Sequence, residues 1–116
     1  VKGIYTTTSV AGNAEFTAEG INKGRGLAIL KERLAIPKEQ IIAIGDNEND
    51  VEMFKEAGIS VAMENAKDPV KQQADFVAAD NDHDGAAEFL EKFLYRLILL
   101  IIIQEIIVIT VKKIII

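Results

Sequence analysis

From Ile4 to Phe93 the chain alternates short runs of β-branched and apolar residues with stretches in which apolar residues recur at helical spacing. That alternation admits few folds, because strand and helix in regular succession mark an α/β layer architecture on a largely parallel sheet. Ile4–Val10 and Ala14–Thr17, separated by Ala11-Gly12-Asn13, read as a hairpin. Beyond Gly24, the positions of Leu27, Leu30 and Leu34 give a helix of about three turns that closes before Pro37. Ile41–Ile44 is a short buried strand. Asn49 and Glu52 have the spacing of a capping box opening a second helix, and Gly58 stands where a C′ glycine would end it. Ile59–Met63 and Phe76–Ala79 give two further strands. Asp68-Pro69 caps the helix between them with proline at its first position, and Asp84 to Phe93 reads as a final helix.

At 116 residues the chain is one small domain, and 49% apolar residues suffice for a core. The formal charge of −5, with 13 scattered Lys and Arg, argues against a nucleic-acid footprint, which needs clustered cations. Without cysteine there are no disulfides or thiolate zinc sites, as suits a reducing compartment. The opening Val1-Lys2-Gly3-Ile4-Tyr5 has no long apolar h-region, and residues 1–95 read as cytoplasmic.

The ending breaks the pattern. Ten of the twenty residues Leu97–Ile116 are isoleucine. The twelve strongly apolar residues of Leu97–Val111 each favour membrane insertion by about 0.3–0.6 kcal/mol, against roughly 2.5–3.5 kcal/mol for a central Glu105. The balance is marginal. It favours a packed or oligomerising segment, or a tail foreign to the fold, over a membrane anchor through residues 97–116, and leaves the anchor open. A β-branched, nearly uncharged segment of this kind also favours aggregation.

Carboxylates concentrate where Ile41-Ile42-Ala43-Ile44-Gly45 runs into Asp46-Asn47-Glu48-Asn49-Asp50. In open α/β sheets ligands bind beyond the carboxyl ends of strands, so Asp46 and Asp50 can face one point there. A hard cation such as Mg²⁺ takes one or two carboxylates plus water and substrate oxygens, which makes this pair a partial shell. The competing reading is structural, with Asp50 complementing a helix dipole and Asn49 capping it. A second cluster, Asp80-Asn81-Asp82-His83-Asp84-Gly85 with Glu91, spells the EF-hand pattern. An EF-hand loop must leave a helix, whereas Asp75–Ala79 reads as a strand, so Asp82 or Asp84 is expected to cap the last helix and His83 to lie on a surface loop. Lys23, in Gly20-Ile21-Asn22-Lys23-Gly24-Arg25-Gly26, precedes a helix in a glycine-rich turn, where a cation and backbone N–H groups can meet a phosphate.

The order of these blocks is specific. Asn22-Lys23-Gly24, Gly45-Asp46-Asn47-Glu48-Asn49-Asp50, the strand Ala57-Gly58-Ile59-Ser60-Val61-Ala62-Met63-Glu64-Asn65-Ala66 and Asn81-Asp82-His83-Asp84-Gly85 follow one another at a spacing that resembles the C-terminal part of Cof-type sugar phosphatases of the haloacid dehalogenase-like (HAD) hydrolase superfamily. The resemblance covers residues 15–94. It implies an α/β fold with a three-layer, Rossmann-like HAD core, here incomplete. Residues 1–19 would be a remnant of the cap and its return strand, 20–94 the C-terminal half of the core, and 95–116 an isoleucine-rich tail. It further implies Lys23 as the phosphate-binding lysine, Asp46 as the Mg²⁺ ligand, Asn49 as a phosphate contact, and Asp50 as the carboxylate supporting the metal's water shell. The substrate would be a small phosphorylated metabolite. The family's N-terminal D-x-D-x-T motif, which supplies the aspartate nucleophile, does not occur within these residues. The expectation is therefore a phosphatase half-site needing a complementing N-terminal segment or an oligomer. The alternative is a non-catalytic, partner-dependent module whose tail mediates assembly or membrane association.

Overall fold

The computed structural model describes residues 3–7, 15–18 and 20–115. The described residues divide into two units after Ala86. In the first, β1 (Ile4–Thr7) and β2 (Glu15–Ala18) form the expected antiparallel hairpin, with Ile4 opposite Ala18. Its turn, Ala11-Gly12-Asn13, lies outside the described residues. Next come α1 (Lys23–Arg33), β3 (Ile42–Gly45), α2 (Val51–Lys55), β4 (Ile59–Met63), α3 (Asp68–Lys71) and β5 (Phe76–Ala78). The three later strands make a parallel sheet in the order β3-β4-β5, the architecture the alternating pattern predicts.

The central strand β4 is buried from Ser60 to Met63, which is why Ser-Val-Ala-Met reads as a continuous run: a strand covered on both faces has no polar side to alternate with. The core around it is small-sided. Ala43, Ala57, Ala62 and Ala66 cluster with Val70 and Phe54, so short side chains draw the helices close onto the sheet and one ring fills the remaining space.

A polar tie joins β4 to the segment entering β5. The Asp75 carboxylate accepts from both the backbone N–H and the hydroxyl of buried Ser60, each at 2.9 Å. These two donors hold the Asp75 carboxyl below its ordinary value, the backbone bond contributing most. Because the folded value is depressed, the stabilisation is present above the unfolded value of 3.8 and is lost as pH falls through the folded one. Asp75→Ala is therefore expected to lower the urea midpoint at pH 7 and to lose most of that deficit in strong acid. A deficit that persists unchanged in acid would assign the loss to packing.

Several local expectations are corrected. The capping box belongs to Asn47 and Asp50, not to Asn49 and Glu52, because a single 3₁₀ turn, Glu48–Asp50, intervenes before α2. α2 ends at Lys55, before Gly58, and Gly58 does not take the left-handed backbone of a C′ glycine. What requires glycine there is proximity, since a Cβ would stand 2.7 Å from the Lys38 carbonyl oxygen. Asp68 is the first residue of α3, with Lys67 as its N-cap, so proline falls at the second position. Neither Asp82 nor Asp84 caps as expected. Asp80 accepts from the His83 backbone N–H at 3.0 Å, and Asp84 adopts left-handed backbone, φ 53°. Finally, the last helix, α4, does not stop at Phe93 but runs without a break over Gly85–Ile115.

Candidate active site

Three short blocks converge beyond the carboxyl end of β3. Each residue of Asn22-Lys23-Gly24 has a separate reason to be there. The Asn22 side chain accepts from the Arg25 N–H at 2.8 Å and caps α1. Lys23 opens the helix, and Gly24 is buried where α1 meets α2, a Cβ on it falling 2.5 Å from the Glu52 carbonyl oxygen. The close approach sets Lys23 over the next block. Its Nζ lies 2.5 Å from Asp50 Oδ1 and 3.5 Å from Asn49 Oδ1.

Asp50 is the hub of the cluster. It is only 4% exposed, and both its oxygens are engaged: Oδ1 by the Lys23 ammonium, Oδ2 by the backbone N–H groups of Asp46 and Asn47 at 3.0 and 3.1 Å. Two backbone donors and one cation therefore hold a carboxylate that burial alone would disfavour. The same contacts fold the Gly45–Asp50 loop back on itself, which is why residue 45 is glycine. A Cβ there would stand 2.6 Å from Asp50 Cγ.

Asp46 is half-buried, and its carboxylate is held from two sides: Asn47 Nδ2 donates to Oδ1 at 2.8 Å and Asn65 Nδ2 to Oδ2 at 2.9 Å. Asn65 is in turn oriented by the Asn81 N–H, 3.4 Å from its Oδ1. Lys23, Asn49 and Asp50 are thus in direct contact, and Asp46 joins them through its own backbone N–H. Asn47 and Asn65 are the members that motif reading did not assign. Asn65 sits 19 positions from Asp46, yet the parallel register Gly45 to Ala62 brings the ends of β3 and β4 side by side.

Among the described residues no group of three or more His, Cys, Asp or Glu side chains converges to hold a metal. The donors of the cluster are hard oxygens, and Asp46 is the carboxylate whose contacts are to neutral amides. They suit one edge of a Mg²⁺ shell completed by water and substrate oxygens. Asp50, with both oxygens engaged, is better placed to order such a shell than to enter it. The EF-hand-like segment is built differently: β5 leads into it in place of a helix, and exposed His83 pairs through Nδ1 with Asp80, which holds the Asp80 carboxyl below its ordinary value.

The parallel sheet and the Lys23–Asp50–Asp46 cluster at one strand end are accompanied by a sequence match, a family model of haloacid dehalogenase-like hydrolases aligning with residues 2–90. The chain belongs to that family. Over 87 residues it is 45% identical to a 5-amino-6-(5-phospho-D-ribitylamino)uracil phosphatase, YcsE, of Bacillus subtilis, covering 75% of this chain and 35% of that enzyme. A HAD-superfamily phosphatase from Bacteroides thetaiotaomicron is 35% identical, with a TM-score of 0.73 over 79% of this chain and 34% of that one. A HAD subclass IIB sugar phosphatase is 33% identical, with a TM-score of 0.72 over 78% of this chain and 35% of that one. The chain spans about a third of the length of the relatives it matches.

Proposed function

We propose that residues 20–90 form the Mg²⁺- and phosphate-binding half of a phosphatase site, acting on small phosphomonoesters of the sugar-phosphate class. The observation carrying this reading is the Lys23–Asp50–Asp46 cluster at the end of β3, in a chain whose relatives are phosphatases. In this reading Lys23 turns its ammonium from Asp50 toward the phosphoryl oxygens and Asn49 donates to one of them, while Asp46 holds Mg²⁺. The metal, when bound, offsets the charge that builds on the phosphoryl group. Asp50 keeps Lys23 and the Asp46 loop in register throughout. The relatives named as acting on a ribityl phosphate and on sugar phosphates support the substrate class.

The nucleophile is the part proposed to come from elsewhere, as an aspartate on a complementing segment. Among the described residues β3 pairs on one side only, with β4. A parallel strand added to its open edge would end beside Asp46, where an attacking carboxylate belongs. Leu30 on α1 and Leu34 just after it, each about half exposed, are apolar surface that such a segment could cover.

The test is hydrolysis of p-nitrophenyl phosphate. Residues 1–116 alone are expected to give none, and addition of the N-terminal part of a relative is expected to give Mg²⁺-dependent turnover. Turnover by the chain alone, abolished by Asp46→Ala, would refute the division of the site. In the complemented enzyme Asn65→Ala is expected to weaken Mg²⁺ activation by about 10–100-fold with a smaller change in kcat at saturating metal, as loss of a group that orients a metal ligand does. An unchanged Mg²⁺ dependence would remove Asn65 from the site.

A further inference from the structure

Helix α4 carries two runs with no polar residue, on either side of Gln104 and Glu105. Leu97–Ile103 is seven consecutive apolar residues, close to two turns, so every direction around the axis carries an apolar side chain. Ile106–Ile109 repeats this for another turn. Each of these eleven side chains is at least 41% exposed, and none of the most apolar 18-residue stretch is buried by the described chain. A helix apolar all round belongs inside a large core or a membrane, because water accepts neither face.

The observations separate the possible covers. Copies of this helix associating in water would bury facing sides only and leave an apolar exterior, and an interfacial helix needs a polar face that Leu97–Ile109 lacks. A bilayer covers the whole circumference. Phe93–Thr110, 18 residues, is about 27 Å long, near the roughly 30 Å of a hydrocarbon core. Lys92 precedes it and Lys112 and Lys113 follow it, placed to meet phosphate headgroups, while Arg96 lies within its first turn. Tyr95 falls at the first interface, and Arg96 can extend its head back to it. The Thr110 hydroxyl donates to the Ile106 carbonyl at 2.9 Å, which leaves it satisfied within the helix, as lipid requires. We infer that α4 spans a lipid bilayer and fastens the hydrolase unit to a membrane.

Gln104 and Glu105 at mid-helix oppose insertion and supply a directional test. The full chain is synthesised cell-free with sealed vesicles of phosphatidylcholine and phosphatidylglycerol, floated after an alkaline carbonate wash, and examined by oriented circular dichroism in stacked bilayers. The chain is expected to float, with α4 along the membrane normal. Ile102→Lys with Ile106→Lys should reduce the floated fraction at least tenfold, Glu105→Leu should raise it, and Ile102→Leu should leave it unchanged. A chain that stays in the aqueous fraction, floats only before the wash, lies in the membrane plane, or forms a discrete soluble oligomer abolished by the lysine pair overturns the inference.

Discussion

Asp46→Ala and Lys23→Ala are each expected to lower kcat/KM of the complemented enzyme by at least about a hundredfold, the scale on which removal of one transition-state-stabilising group acts. The two losses should differ in kind. Lys23 is the residue proposed to meet the phosphoryl group, so the effect of its removal should persist at saturating Mg²⁺. Asp46 is the proposed ligand, so its removal should also shift the Mg²⁺ dependence. His83→Ala, on an exposed side chain paired with Asp80, should change the rate by no more than about twofold, as surface substitutions do. Equal losses at His83 and Asp46 would move the chemistry to the wrong loop.

The second large effect is expected from a single methyl group. Gly45→Ala would place a Cβ 2.6 Å from Asp50 Cγ, on a side chain fixed by three hydrogen bonds and unable to swing aside. Relief requires either β3 to shift or Asp50 to leave its donors. Overpacking of this kind costs about 1–3 kcal/mol, and leaving a buried donor unpaired costs about as much again. Thermal unfolding should register the loss, and activity should fall further than stability, because the displaced carboxylate positions Lys23. Gly26→Ala is the control, since nothing lies within 4 Å of a Cβ built there. Comparable losses at Gly26 and Gly45 would refute the steric account.

The strands β3, β4 and β5 were legible because each is a short, largely apolar run, and they fall within a residue of their expected ends. Lys23, Asn49 and Asp50 could be singled out because their blocks keep a recognisable order, and the fold brings all three into contact. Three features were hidden for distinct physical reasons. A 3₁₀ turn and an α-helix share N-terminal residue preferences, so the cap could be placed at Asn49 although Asn47 occupies it. Asn65 meets Asp46 only through strand register, which no local pattern encodes. The glycines at 24, 45 and 58 answer to neighbours distant in sequence or folded back from the next turn, so the sequence marks them without giving the reason. The continuation of α4 through a β-branched run shows the limit of local propensity, since an isoleucine-rich stretch favours strand on its own but here prolongs a helix already begun at Gly85.

Grafting tests most directly whether this chain carries half of a phosphatase site. Residues 2–90 would replace the corresponding third of the Bacillus subtilis ribitylaminouracil phosphatase, to which the chain is 45% identical over 87 residues. The chimera is expected to release phosphate from the parent enzyme's substrate in a Mg²⁺-dependent reaction that Asp46→Ala abolishes. A chimera with the parent's circular dichroism spectrum and cooperative unfolding but no phosphate release would contradict the assignment.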